Sequence, residues 1–198
     1  MARTQGSRAE ITGPALRAAA LRLFARHGYA AVTMRQLAAE IGVQAGALYA
    51  YTPDKQALLA GLLRGHMEEL LAAWAEEAGD PAAPPLARLE RFVAFHVRLS
   101  LERADAVFLS YMELRNLTPE NYAAITRLRR AYEDALQAIL DAGCAAGVMR
   151  LPDSRVAAMA LISMLTGVTH WYREGGRYDR AGIEAIYQTL VRNAVGAG

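Results

Sequence analysis

Little in this chain is spaced for covalent or metal chemistry. Its four histidines, His27, His66, His96 and His170, fall on no metal-ligand interval, and Cys144 in "DAGCAAG" has no basic neighbour in sequence. Ser163 and Thr166 sit in an apolar run, where a hydroxyl bonded to its own backbone is the default. No G-x-S-x-G, P-loop or H-E-x-x-H occurs, so no catalytic residue, metal or cofactor is expected. The chemistry that the spacing does support is recognition of a polyanion. In "TMRQLAAEIGVQAGALYAYTPDKQALL" (33–59), Gln44, Ala45, Gly46 and Ala47 open a short helical stretch. Their small size lets backbone and methyl groups approach base edges, with Ala suited to a thymine methyl and Gln to an adenine edge. Tyr49 and Tyr51 supply hydroxyls for phosphates, which position a protein on a duplex without reading its sequence. Thr33 and Lys55, each near a helix N-terminus, can do the same beside exposed N–H groups. A plain three-helix packing unit with Leu48 and Tyr49 in its core is the alternative.

The elements that must position these residues read as helices. Leu16, Ala19, Ala20, Leu23 and Phe24 make one stripe, expected to open at Ile11-Thr12-Gly13-Pro14 with Thr12 as its cap and to close at His27-Gly28. Thr33 caps a second helix with Met34, Leu37, Ala38 and Ile41 inward. Gly42 then makes the tight turn that needs a positive φ. A third, near Gln44 to Ala50, is followed by a cap at Thr52-Pro53-Asp54 and a long fourth helix. Two helices joined by a short glycine turn form a helix-turn-helix, whose second helix enters the major groove. Beyond "GDPAAPP" (79–85), a turn between helices, further helices are predicted near 86–103, 105–116, 119–147, 153–174 and 179–195. The stretch 156–172 is apolar on most sides and should be buried on more than one face.

Composition agrees with this reading. Richness in Ala, Leu and Arg favours an all-α protein of about nine helices, and 54% hydrophobic content is ample for a core. Residues 1–64 carry eight basic against three acidic side chains, +5, whereas the remainder carries 14 against 17, −3. A basic first third on an acidic body suits a polyanion bound at one end. The single cysteine permits no internal disulfide. Residues 1–30 lack a signal-peptide pattern, and the most apolar run is too short to span a bilayer. A cytoplasmic protein with no membrane partner is expected.

The segment "ALRLFARHGYAAVTMRQLAAEIGVQAGALYAYTPDKQALL" resembles the N-terminal domain of TetR-family transcriptional repressors. The family pattern is met by Leu23-Phe24, Gly28-Tyr29, Thr33, Leu37-Ala38, Gly42, Gly46, Leu48-Tyr49, Lys55 and Leu58-Leu59. The resemblance implies DNA contacts at Thr33, Arg35, Gln44, Ala45, Gly46, Tyr49, Tyr51 and Lys55. Ala50, and Tyr51-Thr52 where His-Phe is frequent, depart from the pattern. It further implies a DNA-binding domain over 1–55 and a ligand-binding and dimerisation domain over 56–198. The expected partners are double-stranded palindromic operator DNA, a small-molecule effector, and a second copy paired through the helices near 153–174 and 179–195.

For the effector, "LTGVTHWYREGGRYD" (165–179) resembles the WYRPGG-like segment of regulators that sense acyl-CoA thioesters, with Glu174 in place of the proline. "MELRNLTPENYAAITRLRRAYE" (112–133) resembles the same subgroup. An acyl-CoA needs an apolar tunnel, for which Met112, Met159, Ile162, Met164 and Trp171 are candidates. It also needs cations for its phosphates, with candidates Arg115 and Arg129, and beside them Arg98 and Arg130. A regulator of an efflux pump answering to lipophilic drugs is the alternative, although the arginines at 127–130 disfavour it. A helical protein without sequence-specific DNA binding would lack the basic N-terminal face.

Overall fold

A computed structural model describes residues 4–197, and every regular element among them is helical. The order is α1 (Thr4–His27), α2 (Met34–Glu40), a 3-10 segment (Ala45–Ala50), α3 (Lys55–Glu77), α4 (Pro85–Glu102) and α5 (Ala104–Met112). A second 3-10 turn (Leu114–Asn116) leads to α6 (Pro119–Ala145), α7 (Ser154–Thr166), α8 (Val168–Trp171) and α9 (Arg180–Ala194). These residues form two compact units, 1–67 with 105–126, and 68–104 with 127–198.

In the first unit α1 begins earlier than expected. Thr12 is not its cap, and Pro14 lies inside the helix. Pro14 removes one ladder bond, yet the helix runs through it. The expected stripe is covered at Leu16, Ala19, Ala20 and Phe24. Gly28 and Gly42 take left-handed conformations, φ +82° and +69°, that only glycine adopts without strain, and each ends a helix there. At the start of α3 the cap is Asp54, whose carboxylate accepts the Ala57 N–H at 2.7 Å. The buried Thr52 hydroxyl instead donates to the Asp54 carbonyl at 2.8 Å.

The second unit is built on α4, which buries Leu89, Phe92, Val93, Phe95, His96, Val97, Leu99 and Ser100. Trp74 meets Phe92 edge-on at 4.9 Å and Phe95 at 5.3 Å, and Tyr132 lies 5.1 Å from Phe92. The His96 ring joins this cluster with its nitrogens 3.0 Å from the Tyr132 hydroxyl and 3.0 Å from Thr166 Oγ1. A buried imidazole is thereby satisfied at both ends. Asp153 and Asp179 cap α7 and α9 through the N–H groups of Val156 and Gly182. The predicted helix over 153–174 is divided at Gly167 into α7 and α8.

Within one chain α7 is covered on one face only, through Ala158, Leu161, Ile162, Leu165 and Thr166. Val156 is 56% and Met159 41% exposed, so the expected burial on more than one face is not met by this chain's own residues. The last helix is similar: Ile183, Tyr187 and Val191 are buried, while Ile186 and Leu190 are exposed.

Candidate nucleic-acid interface

Seven residues cannot hold a helix alone, so α2 depends on its cap and its packing. Thr33, in extended backbone, accepts the Gln36 N–H on its hydroxyl at 3.2 Å and donates its own N–H to Gln36 Oε1 at 2.7 Å. This reciprocal capping box fixes where α2 begins. At the other end Val43 N–H returns to the Ala38 carbonyl at 2.9 Å across the Gly42 turn. Leu37, Ala38 and Leu48 are buried, which anchors α2 and the following segment on the unit's core.

That following segment is a 3-10 helix rather than an α-helix. Its bonds run from Ala47 N–H to Gln44 O and from Tyr51 N–H to Leu48 O, both 2.9 Å. Leu48 is its one buried side chain, and its other positions are exposed or half-buried. Thr33, Arg35, Gln44, Gly46, Tyr49 and Tyr51 are all exposed, Tyr49 by 57%, while Ala45 and Lys55 are half-buried. Tyr49 is therefore no core residue. Gly46 is informative in a different way. Its φ is not left-handed, and a Cβ added there would meet nothing within 4 Å. Neither the backbone nor the packing of this chain requires glycine at that position.

Lys55, the only lysine, lies in the first turn of α3 with its ammonium 4.2 Å from the centroid of the Tyr29 ring and 6.0 Å from that of Phe24. Burial lowers its pKa from the usual lysine range, and the charge of Glu113 opposes this. The Tyr29 phenol is shifted the other way, upward, by burial first and then by Asp54, with a smaller contribution from Glu113. Sequence reasoning missed Glu113, Gln56 and Asn116, which surround this ring pair through hydrogen bonds described below.

Residues 82–195 match the family described as "Tetracyclin repressor-like, C-terminal domain", and residues 16–62 match "Bacterial regulatory proteins, tetR family". The chain belongs to the TetR family of bacterial regulators. As a TetR-family protein it is a DNA-binding transcriptional regulator, and the matched relatives are regulators, not enzymes. It is 25% identical over 171 residues to the HTH-type transcriptional repressor KstR2 of Rhodococcus jostii, covering 85% of this chain and 83% of that one. A solved tetR-family regulatory protein from Rhodococcus RHA1 superimposes with a TM-score of 0.89 at 30% identity, over 94% of this chain and 98% of the other. AibR, solved in complex with isovaleryl coenzyme A and operator DNA, shares the fold with a TM-score of 0.83 at 23% identity, over 94% and 100%.

The effector residues expected of this TetR-family chain are not gathered in one unit. Met112 and Arg115, both exposed, belong to the first unit. Arg129, Met159, Ile162, Met164 and Trp171 belong to the second. There α7 turns Met159 outward and Ile162 inward, while Met164 and Arg129 are half-buried. Trp171 is 53% exposed and stacks on Tyr187 with centroids 6.4 Å apart. The neighbouring Tyr172 hydroxyl is buried and finds no hydrogen-bond partner among the described residues, a signal no sequence pattern carries. Exposed Arg173, Arg177 and Arg180 follow it, Arg180 held by Glu174 at 3.1 Å. Among the described residues no helix is long and apolar enough to cross a membrane.

Proposed function

We propose that this regulator is a repressor that binds a palindromic operator as a homodimer and is released by an acyl-CoA thioester or a related catabolic intermediate. The observation that carries the DNA half is the surface from Thr33 to Tyr51. It is rigidly framed by a capping box and a glycine turn, exposed in every polar side chain, and open at Gly46 where no internal contact asks for glycine. On this reading Gln44, Ala45 and Gly46 meet base edges, and Thr33, Arg35, Tyr49, Tyr51 and Lys55 meet phosphates. DNA binding belongs to residues 1–55, and effector binding and pairing belong to 56–198.

Pairing is supported by α7 and α9, whose outer faces offer Val156, Met159, Ile186 and Leu190 to solvent. Exposed apolar residues on two helices of one unit are what a twofold, self-complementary interface would cover. Two such protomers place two recognition segments on successive major grooves, so the operator mirrors the protein's symmetry. For the effector, the support is the coenzyme A complex of AibR together with the chemistry around Trp171. An exposed indole, a buried unpartnered phenol and three arginines within ten residues offer stacking and phosphate contacts in one segment. In the second unit Ile162 and Met164 remain proposed for the acyl chain and Arg129 for a phosphate. Binding of the thioester shifts the population toward dimers whose recognition segments no longer fit the operator.

Thermal denaturation of the purified protein with isovaleryl-CoA and longer acyl-CoA esters, each beside its free acid and free coenzyme A, tests the effector. At 100 times its Kd a ligand adds about 2.7 kcal/mol, which in a chain this size raises Tm by roughly 5–10 °C. A thioester is expected to give that shift, and a shift given by lipophilic drugs but by no thioester would replace the proposal.

A further inference from the structure

Glu113 is 4% exposed, and its carboxylate is spent on the backbone of a distant turn. One oxygen accepts the Tyr29 N–H at 3.0 Å across 84 residues of sequence, and the other accepts the Asn116 side-chain amide. The Gln56 amide, one residue past Lys55, completes the arrangement. It donates to the Asn116 carbonyl at 2.7 Å and accepts the Thr118 N–H at 3.3 Å, so it holds the residues that precede α6 against the first turn of α3. Its nitrogen also lies 3.5 Å from the Tyr29 hydroxyl. All of these residues belong to the first unit.

A buried carboxylate is costly unless its acceptor capacity is used, and an apolar residue would fill the same space without that cost. What the carboxylate supplies is a fixed point for Tyr29. The Tyr29 carbonyl accepts the Val32 N–H at 3.3 Å, and the next residue, Thr33, is the cap of α2. The Gly28 before it is left-handed, and a Cβ there would lie 3.8 Å from the same carboxylate oxygen. The turn that launches α2 therefore hangs on Glu113, while its ring is held between Phe24, at 5.3 Å edge-on, and the Lys55 ammonium.

We infer that Glu113 is a positioning residue for operator recognition, acting with Asn116 and Gln56 as a latch that sets the Tyr29 turn, and through it α2 and the segment Ala45–Ala50, against DNA. The inference rests on the operator face proposed above. It makes the connection between α5 and α6 a control point. A shift of Leu114–Leu117 withdraws the carboxylate from Tyr29 and frees the turn without touching any residue that meets DNA.

The test uses the full-length protein and a duplex selected by the wild type from a random library. Wild type, E113Q, N116D and E113Q/N116D are compared by fluorescence anisotropy, and the free proteins by amide hydrogen exchange. In E113Q the charge is lost, and the Asn116 amide must turn over to offer its oxygen to the new NH2 if two donors are not to meet. In the double variant the polarity is reversed and the pair is restored, with an acceptor oxygen still available to Tyr29. Expected are a loss of about tenfold in affinity for E113Q, the worth of a buried charge-assisted bond, and recovery to within about twofold in the double variant. Amides 29–36 should exchange faster in E113Q and return in the double variant, with the amides of α4 and α9 unchanged. A purely structural carboxylate would instead loosen the whole chain and leave affinity tracking Tm. Unchanged affinity in E113Q despite faster exchange at Tyr29 overturns the inference alone. Failure of the wild type to select any duplex overturns it together with the operator face.

Discussion

Replacement of Thr33 separates the two roles assigned to it. As a cap its hydroxyl accepts one N–H of a helix only seven residues long, so the helix has few other sources of local stability. Thr33→Ala removes that acceptor and is expected to cost about 1 kcal/mol, within a range of roughly 0.5–2, and about 2–4 °C in Tm. Faster amide exchange should be confined to α2 and the turn before it. Thr33→Asp keeps the cap, since Asp serves as well as Thr at this position and its charge suits a helix N-terminus. Its Tm is expected to stay within about 2 °C of wild type. The same negative charge would face a phosphate. Binding to the selected duplex at about 0.1 M salt should therefore fall about tenfold or more, and part of the loss should be masked at higher salt. Anisotropy and calorimetry on the three proteins decide the matter. Wild-type affinity in Thr33→Asp would show that Thr33 does not face the DNA backbone. An unchanged Tm and exchange pattern in Thr33→Ala would show that the capping box does not hold α2.

Two single substitutions and one double substitution have further expected outcomes. Gly46→Ala is expected to leave Tm within about 2 °C of wild type, because the added methyl meets nothing, yet to weaken operator binding measurably by anisotropy. Burial, aided by Glu102 and Glu77 and opposed by Arg98, raises the Glu184 pKa. The folded state thus prefers the protonated form, a contribution present below the ordinary carboxylate range and lost as pH rises through the folded value. Glu184→Gln should accordingly raise Tm at pH 7 by about 1–3 °C in calorimetry, and the advantage should vanish near pH 4. Ile186→Asp with Leu190→Asp alters exposed residues only, so the chain should stay folded by circular dichroism while its sedimentation shifts from dimer to monomer.

Local signals in the sequence proved the most legible. Thr33 as a cap, the left-handed Gly42 and the helix boundaries near 86–103, 119–147 and 179–195 all follow from neighbouring residues, and the structure places them within a few positions. Pro14 misled because a proline after a threonine and a glycine reads as a first turn, whereas α1 carries it inside. The polar pairs that organise each unit were invisible for a different reason. Glu113 meets Tyr29 across 84 residues, and His96 meets Thr166 across 70, with Tyr132 on a third helix. Such pairs have no sequence period, since they depend on how helices pack. The proposed operator face lies in one contiguous stretch, so each of its candidates could be named from its own neighbours. The candidates named for the effector fall in different units, so hydrophobicity and charge along the chain suggested each singly without grouping them.

The central claim is that an acyl-CoA thioester releases this regulator from its operator. It is tested most directly by titrating acyl-CoA esters, with their free acids and free coenzyme A as controls, into the complex of the wild type and its selected duplex while anisotropy is followed. Tight, salt-dependent binding that one thioester reverses and its free acid does not is the expected result. A tight complex that no thioester disturbs would contradict it.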